Sequence, residues 1–321
     1  ATGRTCCRQA WLDAFDRQSR GMTLIESLRV IVVIAIGLMV SSVSPVELAE
    51  VSVVDDAGHI IRLAAPAQRV VSLAPHATEL LFAAGAGSQV VGVSAFSDFP
   101  VEAKNLPSVG GSGQLDLERI IRLKPDLIVA WKSGNSARQL THLRQLGLVV
   151  FESEPRSFEM IASSLERLGT LVGSAQGKTT ARHFRERWLG LQQQYAEQAP
   201  VTVFYQIWPS PLMTLNDTHV VSQAIKLCGG INIFGQLKPL VQTVSREAVV
   251  NADPDMIITS GEKRRETESW RALNTMKAVQ QNNLFTLDGS VLNRAGPRLI
   301  DATRTLCETI AQARKNLRTS R

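Results

Sequence analysis

The chain has 321 residues, 44% of them hydrophobic and 20% charged, with a formal net charge of +6. That length suits two domains of ordinary size, and that balance belongs to a globular protein with material for two cores. The basic excess is modest and no run of basic residues is interleaved with aromatics. The densest cluster, Lys263-Arg264-Arg265, sits between Glu262 and Glu266 as a solvated loop does, so nucleic-acid binding has no support.

In chain order, the first feature is "RGMTLIESLRVIVVIAIGLMVSS" at residues 20–42. Gly21-Met22, Glu26 and the apolar run after them resemble the start of a pilin-like structural subunit, although Arg29 breaks the apolar stripe. From Leu28 onward the same stretch reads as a secretory signal. Its uncharged run, residues 31–43, is about 13 long, short of the roughly 20 needed to span a bilayer and suited to a signal core. Cleavage after Ser44 meets Pro45, and cleavage after Ala49 meets Glu47. No Cys follows, which argues against a lipid anchor. Residues 1–49 are therefore expected to be a leader that exports the chain. Within it, residues 1–27 read as upstream or misassigned sequence, with Leu28 at or near the real start.

Beyond the leader, "VSVVDDAGHIIRL" predicts a β-hairpin around Asp56-Ala57-Gly58. Strands at "RVVSL", "QVVGVS", "DLIVAW" and "LVVFES" then alternate with helices at "ATELLFAAGAG", "LDLERIIRL" and "SARQLTHLRQLG". Residues 158–198 change to helix alone, through "SFEMIASSLERLGTLVG" and "KTTARHFRERWLGLQQQYAEQ". The alternation returns with "VTVFYQIW", "SQAIKLCGG", "REAVVNA", "DMIITS", "WRALNTMKAVQQ", "LFTL" and "PRLIDATRTLCETIAQARKNL". The pattern predicts an α/β protein: an N-terminal doubly wound lobe at 50–157, a helical connector at 158–198 and a C-terminal doubly wound lobe at 199–321. An internal echo supports two related halves. Glu118 precedes Pro125-Asp126 by seven residues, as Glu247 precedes Pro254-Asp255, and each Pro-Asp opens an apolar strand.

Motifs for catalysis do not assemble. "GSAQGKTT" at 173–180 is one residue short of a phosphate-binding loop and follows a helix, so it reads as a turn between helices. "GAG" at 85–87 reads as a helix end. His59, His76, His142, His183 and His219 are scattered, and no Ser occupies a nucleophile elbow, so an enzyme is not expected. Cys6-Cys7 has no metal-ligand spacing. Cys228 and Cys307 each lie in an apolar, helix-like stretch; in an exported chain they read as a disulfide, with two separately buried thiols as the alternative.

Ligands of open α/β sheets bind beyond the carboxyl ends of the strands. Those ends carry Pro75-His76, Phe96, Phe99, Trp131 and Trp208, although aromatics make up only 5% of the chain. Flat side chains there suit a bulky, partly apolar ligand. His76 could ligate a metal-containing ligand, cap its helix or bind a loop carbonyl.

From about residue 69 onward, "RVVSLAPHATELLFAAGAG", "SDFP", "LERIIRLKPDLIVAWKSGN", "LCGGINIF", "VSREAVV" and "NRAGPR" resemble, in order and spacing, the periplasmic cobalamin-binding proteins of ABC importers. That resemblance implies two lobes joined by a long rigid α-helix that permits only small closing motions. It implies a periplasmic monomer that captures cobalamin in the interlobe cleft and hands it to an importer permease with its ATPase. The cobalt would travel with the ligand, and no prosthetic group is implied. Trp131 then matches an aromatic against the corrin, Phe96 stands where Tyr is common, and Arg294 matches a cleft arginine. Glu118 and Glu247 match the acidic pair that docks on permease arginines, and Cys228 and Cys307 match the family disulfide. Ser112, Val241 and Val291 stand where tryptophans are known and Ser290 where an Asp is. Tyr205 and Trp208 would supply stacking surface from another strand. A haem or ferric-siderophore carrier of the same fold is the second expectation, and a pilin-like subunit the remote one.

Overall fold

In the computed structural model, which describes residues 50–111, 113–261 and 265–319, the chain begins with a hairpin of β1 (Val51–Val54) and β2 (Ile60–Leu63). Asp55 closes its turn by accepting the Ala57 and His59 backbone N–H groups at 2.9 and 2.8 Å. The leader and Ser112 lie outside the described residues.

A parallel sheet follows, built from β3 (Val70–Ser72), β4 (Val90–Val93), β7 (Leu127–Trp131) and β8 (Val150–Ser153) in the order β4-β3-β7-β8. Its two central strands are buried almost throughout, which is why they read as continuous apolar runs rather than alternating ones. The connections carry α1 (Pro75–Ala83), a short ribbon of β5 (Gly110–Gly111) and β6 (Gln114–Leu115), α2 (Leu117–Arg122) and α3 (Ala137–Gln145). Helix α1 begins two residues before the expected Ala77, because Pro75 is already preset for a first helical turn.

Two helices come next, α4 (Phe158–Leu171) and α5 (Gln176–Tyr195), packed on each other. Ser157 caps α4 by accepting the Met160 N–H at 3.2 Å. The phosphate-loop look of "GSAQGKTT" has a packing cause: a Cβ on Gly177 would lie 2.3 Å from the Leu165 carbonyl oxygen, so glycine lets the helices touch. Phe158 stacks on Trp188 at 5.8 Å, and Arg185 spans Glu159 and Glu166, which fastens the pair further.

The second parallel sheet contains β9 (Val201–Gln206), β12 (Gly230–Asn232), β14 (Met256–Thr259) and β15 (Leu284–Thr286), ordered β12-β9-β14-β15. Its helices are α6 (Val220–Leu227), α7 (Arg246–Ala252), α8 (Arg265–Arg271), α9 (Lys277–Gln280), α10 (Gly289–Leu292) and α11 (Leu299–Thr319). Two expectations change here. "VTVFYQIW" is not one strand: β9 ends at Gln206, and β10 (Trp208–Pro209) joins β11 (Leu212–Leu215) and β13 (Val241–Thr243) in a separate antiparallel sheet. "WRALNTMKAVQQ" is not one helix either. Fully buried Trp270 and Met276 both pack into the same small core, and successive turns at Leu273 and Met276 separate α8 from α9. Asp253 accepts the Lys277 N–H at 2.9 Å and sets the start of α9.

The internal echo corresponds to a repeated fastening. Asp126 accepts the backbone N–H groups of Gln68 and Arg69 at 2.7 and 3.0 Å, tying β7 to the start of β3. Asp255 accepts the backbone N–H and the hydroxyl of Thr202 at 2.9 and 2.8 Å, tying β14 to the start of β9. The preceding helices match as well. Asp116 caps α2 and Ser245 caps α7, and Glu118 and Glu247 are each the exposed second residue.

Cys228, just after α6, and Cys307, within α11, are fully buried and joined by a disulfide across a separation of 79 residues. Closing a loop of that length constrains the unfolded chain by about 4–5 kcal/mol in the chain-entropy account. Replacing both cysteines with Ala is therefore expected to lower unfolding stability by about 2–5 kcal/mol in denaturant titration. A reducing agent should reproduce most of that loss in the wild-type chain and none in the variant.

Candidate functional site

The carboxyl ends of strands from both parallel sheets border one cavity of about 280 Å³. The first sheet contributes His76 after β3, Trp131 at the end of β7, and Glu154 and Arg156 after β8. From the second come Ile207 after β9 and the Asn293-Arg294-Ala295 turn after α10, while His219 enters from the N-terminus of α6 and Val241 from β13. A larger cavity of about 400 Å³ lies against α4, α5 and the far end of α6. Position at the strand ends, not size, singles out the first.

Trp131 is held from behind. Its backbone N–H donates to Asn135 Oδ1 at 2.7 Å, and Asn135 Nδ2 donates to the Leu73 carbonyl at 3.2 Å, so the ends of β3 and β7 are clasped together. Gly134 is required by the indole, since a Cβ there would fall 1.9 Å from Trp131 Cε3. His76, the second residue of α1, meets that ring edge-on, with centroids 5.7 Å apart at 79°. Its Nε2 lies 3.3 Å from Ser153 Oγ. Burial, reinforced by the positive charge of Arg294, pushes the His76 pKa down to about 4, so the imidazole is neutral at pH 7.

Arg294 is committed on several sides. It contacts buried Glu79 on α1 at 3.3 Å, donates to Asp98 at 2.6 Å and donates to the Phe96 carbonyl at 3.2 Å. Partial burial works against ionisation of Asp98, but the hydrogen bond and charge of Arg294 bring its carboxyl below the usual range. On the opposite wall, His219 caps α6 by accepting the Val221 N–H on Nδ1 at 3.2 Å. Burial, with help from Arg156, lowers its pKa to about 4 as well.

The structure thus brings together His76, Trp131 and Arg294 but not every expected ligand residue. Tyr205 lies beneath the wall, fully buried, its hydroxyl donating to Asn293 Oδ1 at 2.6 Å. Phe96 is 82% exposed and Trp208 58% exposed; both adjoin wall residues without lining the cavity. Phe99 borders a different space of about 540 Å³, with the Arg298 guanidinium 4.0 Å above its ring centroid. Glu118 and Glu247 sit on exposed helix starts. His219 and Asn293 border the cavity although neither was expected there. Asn293 is next to Arg294 in a segment already singled out. His219 follows β11, a strand whose short "LMTL" gives no periodic signal. Among the described residues, no group of His, Cys, Asp and Glu is gathered to hold a metal ion, and no helix is long and apolar enough to cross a membrane.

Comparison with known proteins yields a match to the periplasmic binding protein family over residues 70–291. The chain is 39% identical over 252 residues to the vitamin B12-binding protein of Vibrio cholerae serotype O1, covering 78% of this chain and 91% of that one. It is 39% identical over 246 residues to the vitamin B12-binding protein of Photorhabdus laumondii, covering 75% and 87%. The crystal structure of the periplasmic vitamin B12 binding protein of Vibrio cholerae superposes with a TM-score of 0.74, covering 78% of this chain and 99% of that one. The periplasmic heme-binding protein of Roseiflexus sp. RS-1, at 22% identity and a TM-score of 0.68 over 77% and 99% of the two chains, shares the fold.

The neutral state of His76 makes stability depend on pH. Its pKa is about 4 folded against 6.5 as the reference for the unfolded chain, so between those values the unfolded state binds the proton first. Stability is therefore complete above pH 6.5, falls as the pH drops toward 4, and levels off below, by on the order of 3 kcal/mol for this group. Denaturant midpoints at pH 7 and pH 4.5 are expected to differ less in His76→Gln than in the wild-type chain.

Proposed function

Because the chain belongs to the periplasmic binding protein family, we propose that it captures cobalamin between its two parallel sheets and delivers it to an inner-membrane ABC importer. The observation that carries this reading is the 39% identity to a vitamin B12-binding protein over 91% of that protein's length. The strand-end cavity with Trp131 in its wall agrees with it. In this reading the sheets belong to two lobes, residues 50–157 and 199–321, connected by the helices of 158–198. The carrier works as a monomer in the periplasm after export by the leader, and it does no chemistry on its cargo.

A corrin with its side chains is larger than an enclosed space of about 280 Å³. Only part of the ligand is enveloped, therefore, and the rest lies on the rim. Exposed Phe96 and Trp208 next to that wall supply apolar surface for it. Trp131 gives the enclosed part a flat face, on a strand end whose backbone Asn135 holds. The haem alternative rests on likeness of fold alone, at 22% identity.

Docking on the permease falls to Glu118 and Glu247. They occupy equivalent places, each second in a short capped helix that leads into the equivalent central strand of its sheet. Bonding to its own backbone N–H and to Ser245, followed by the charge of Arg246, lowers the Glu247 pKa. Two carboxylates at matched positions suit a partner with two matched basic patches, and such charges orient and speed an encounter.

Titration calorimetry with cobalamin is expected to give one site per chain, and Trp131→Ala to weaken it by about tenfold or more, as loss of a buried aromatic contact does. No binding at micromolar concentration would overturn the reading. Glu118→Ala combined with Glu247→Ala is expected to leave cobalamin affinity unchanged and to weaken association with the importer, with a reduced salt dependence. Undiminished association would remove these residues from the interface.

A further inference from the structure

We infer that His219 is a specificity residue whose Nε2–H donates to a neutral amide carbonyl on the rim of the ligand. This selects a macrocycle edged with amides over one edged with carboxylates, and the inference rests on the cobalamin reading above.

The geometry begins with the tautomer. His219 Nδ1 accepts the Val221 N–H at 3.2 Å as the cap of α6, so the ring proton resides on Nε2. No partner of Nε2 is found among the described residues, and the half-buried ring borders the cavity. A cap that holds one nitrogen thus aims the other, and it does so without a flexible torsion left to choose. The ring cannot serve as an acceptor or a metal ligand through Nε2 while that proton is in place.

Burial first, and the surrounding charges after it, make the donor a neutral one. Arg156, on the loop after β8, faces His219 and disfavours a second positive charge on it. Glu154, two residues earlier, already accepts the Ser133 N–H at 2.8 Å. Arg294, the other cation in the wall, is held by Glu79, Asp98 and the Phe96 carbonyl. His76, across the cavity, is a second uncharged imidazole. A carboxylate entering this wall finds one exposed arginine with a glutamate beside it, and no aimed cation. An amide oxygen finds a fixed N–H donor. A single neutral donor offsets less of the cost of drying a carboxylate than a cation would, so this wall favours an uncharged acceptor.

The test separates recognition from the capping role. His219→Asn and His219→Ser retain a side-chain oxygen able to cap α6 but are too short to reach where Nε2 lies. Both are expected to unfold at the wild-type temperature and to bind cobalamin five- to tenfold more weakly, the effect of one neutral hydrogen bond. A corrinoid whose peripheral amides are hydrolysed to carboxylates is expected to bind the wild-type chain at least tenfold more weakly than cobalamin, and to bind the variants no worse. If the wild-type chain binds cobalamin and the correctly folded variants bind it equally well, the assignment of His219 is overturned while the cobalamin reading stands. If the hydrolysed corrinoid binds the wild-type chain as well as cobalamin does, the selectivity is overturned. If the wild-type chain binds neither, the parent reading fails and the inference with it.

Discussion

A buried carboxylate, Glu79, decides how the first parallel sheet and the end of the chain meet. It sits on α1 with its side chain 2% exposed, and Arg298 donates to it through Nε at 3.0 Å and Nη2 at 2.5 Å. Arg294 adds a third contact at 3.3 Å. Glu79 is buried while both arginines keep part of their surface in solvent, so losing either one leaves the carboxylate inside the protein short of compensation. The turn between α10 and α11 is thereby tied to α1, and Arg294 is carried into the cavity wall. Its remaining contacts reach Asp98 and the Phe96 carbonyl. Phe96 itself has φ +63°, a left-handed conformation that costs a bulky residue on the order of 1–2 kcal/mol. The tether from Arg294 helps to hold it there. Gly296 belongs to the same arrangement, for a Cβ at that position would lie 3.0 Å from Glu79 Oε2.

Around that junction the molecule uses one unit twice. In each sheet, a capped helix with a glutamate in second place leads to a Pro-Asp pair, and the Asp hooks the start of the neighbouring strand. The hook is local in space but more than fifty residues long in sequence. It sets the register of the two central strands at their amino ends, so their carboxyl ends arrive together at the cavity. Groups of the wall are held from behind by the same economy of means: Asn135 on the Trp131 backbone, Ser153 on His76, Tyr205 on Asn293 and a helix N-terminus on His219. A wall made of prealigned groups loses little entropy when a ligand arrives.

Much of this is legible in the residue order. The hairpin at Asp56-Ala57-Gly58, the strands of the first parallel sheet, β9, β14 and β15 of the second and the two helices of the connector follow from periodicity and from Gly, Pro and Ser punctuation, whereas the three-residue β12 was not foreseen. His76, Trp131 and Arg294 come to the cavity as their positions after strands or in a quoted motif imply. The antiparallel sheet was not legible, because two- to four-residue strands carry no periodic signature. The break between α8 and α9 was hidden for another reason. Trp270 and Met276 suit a helical face on paper, and only their shared burial shows that the chain must bend between them.

The sequence by itself determined the class of fold and the doubled unit, because alternating strand and helix signals and the spacing of Glu and Pro-Asp are local properties of the chain; the family followed from the resemblance of motifs such as "RVVSLAPHATELLFAAGAG" and "NRAGPR". Only the tertiary structure decided which aromatic residues reach the cavity, that Tyr205 lies below the wall while His219 stands in it, and that Arg294 has its charge engaged before any ligand arrives. Those outcomes depend on burial and on partners remote in the chain, from Glu79 to Arg298 and from Tyr205 to Asn293. Such pairings cost and return free energy only once the two sheets have met, and no local pattern records them.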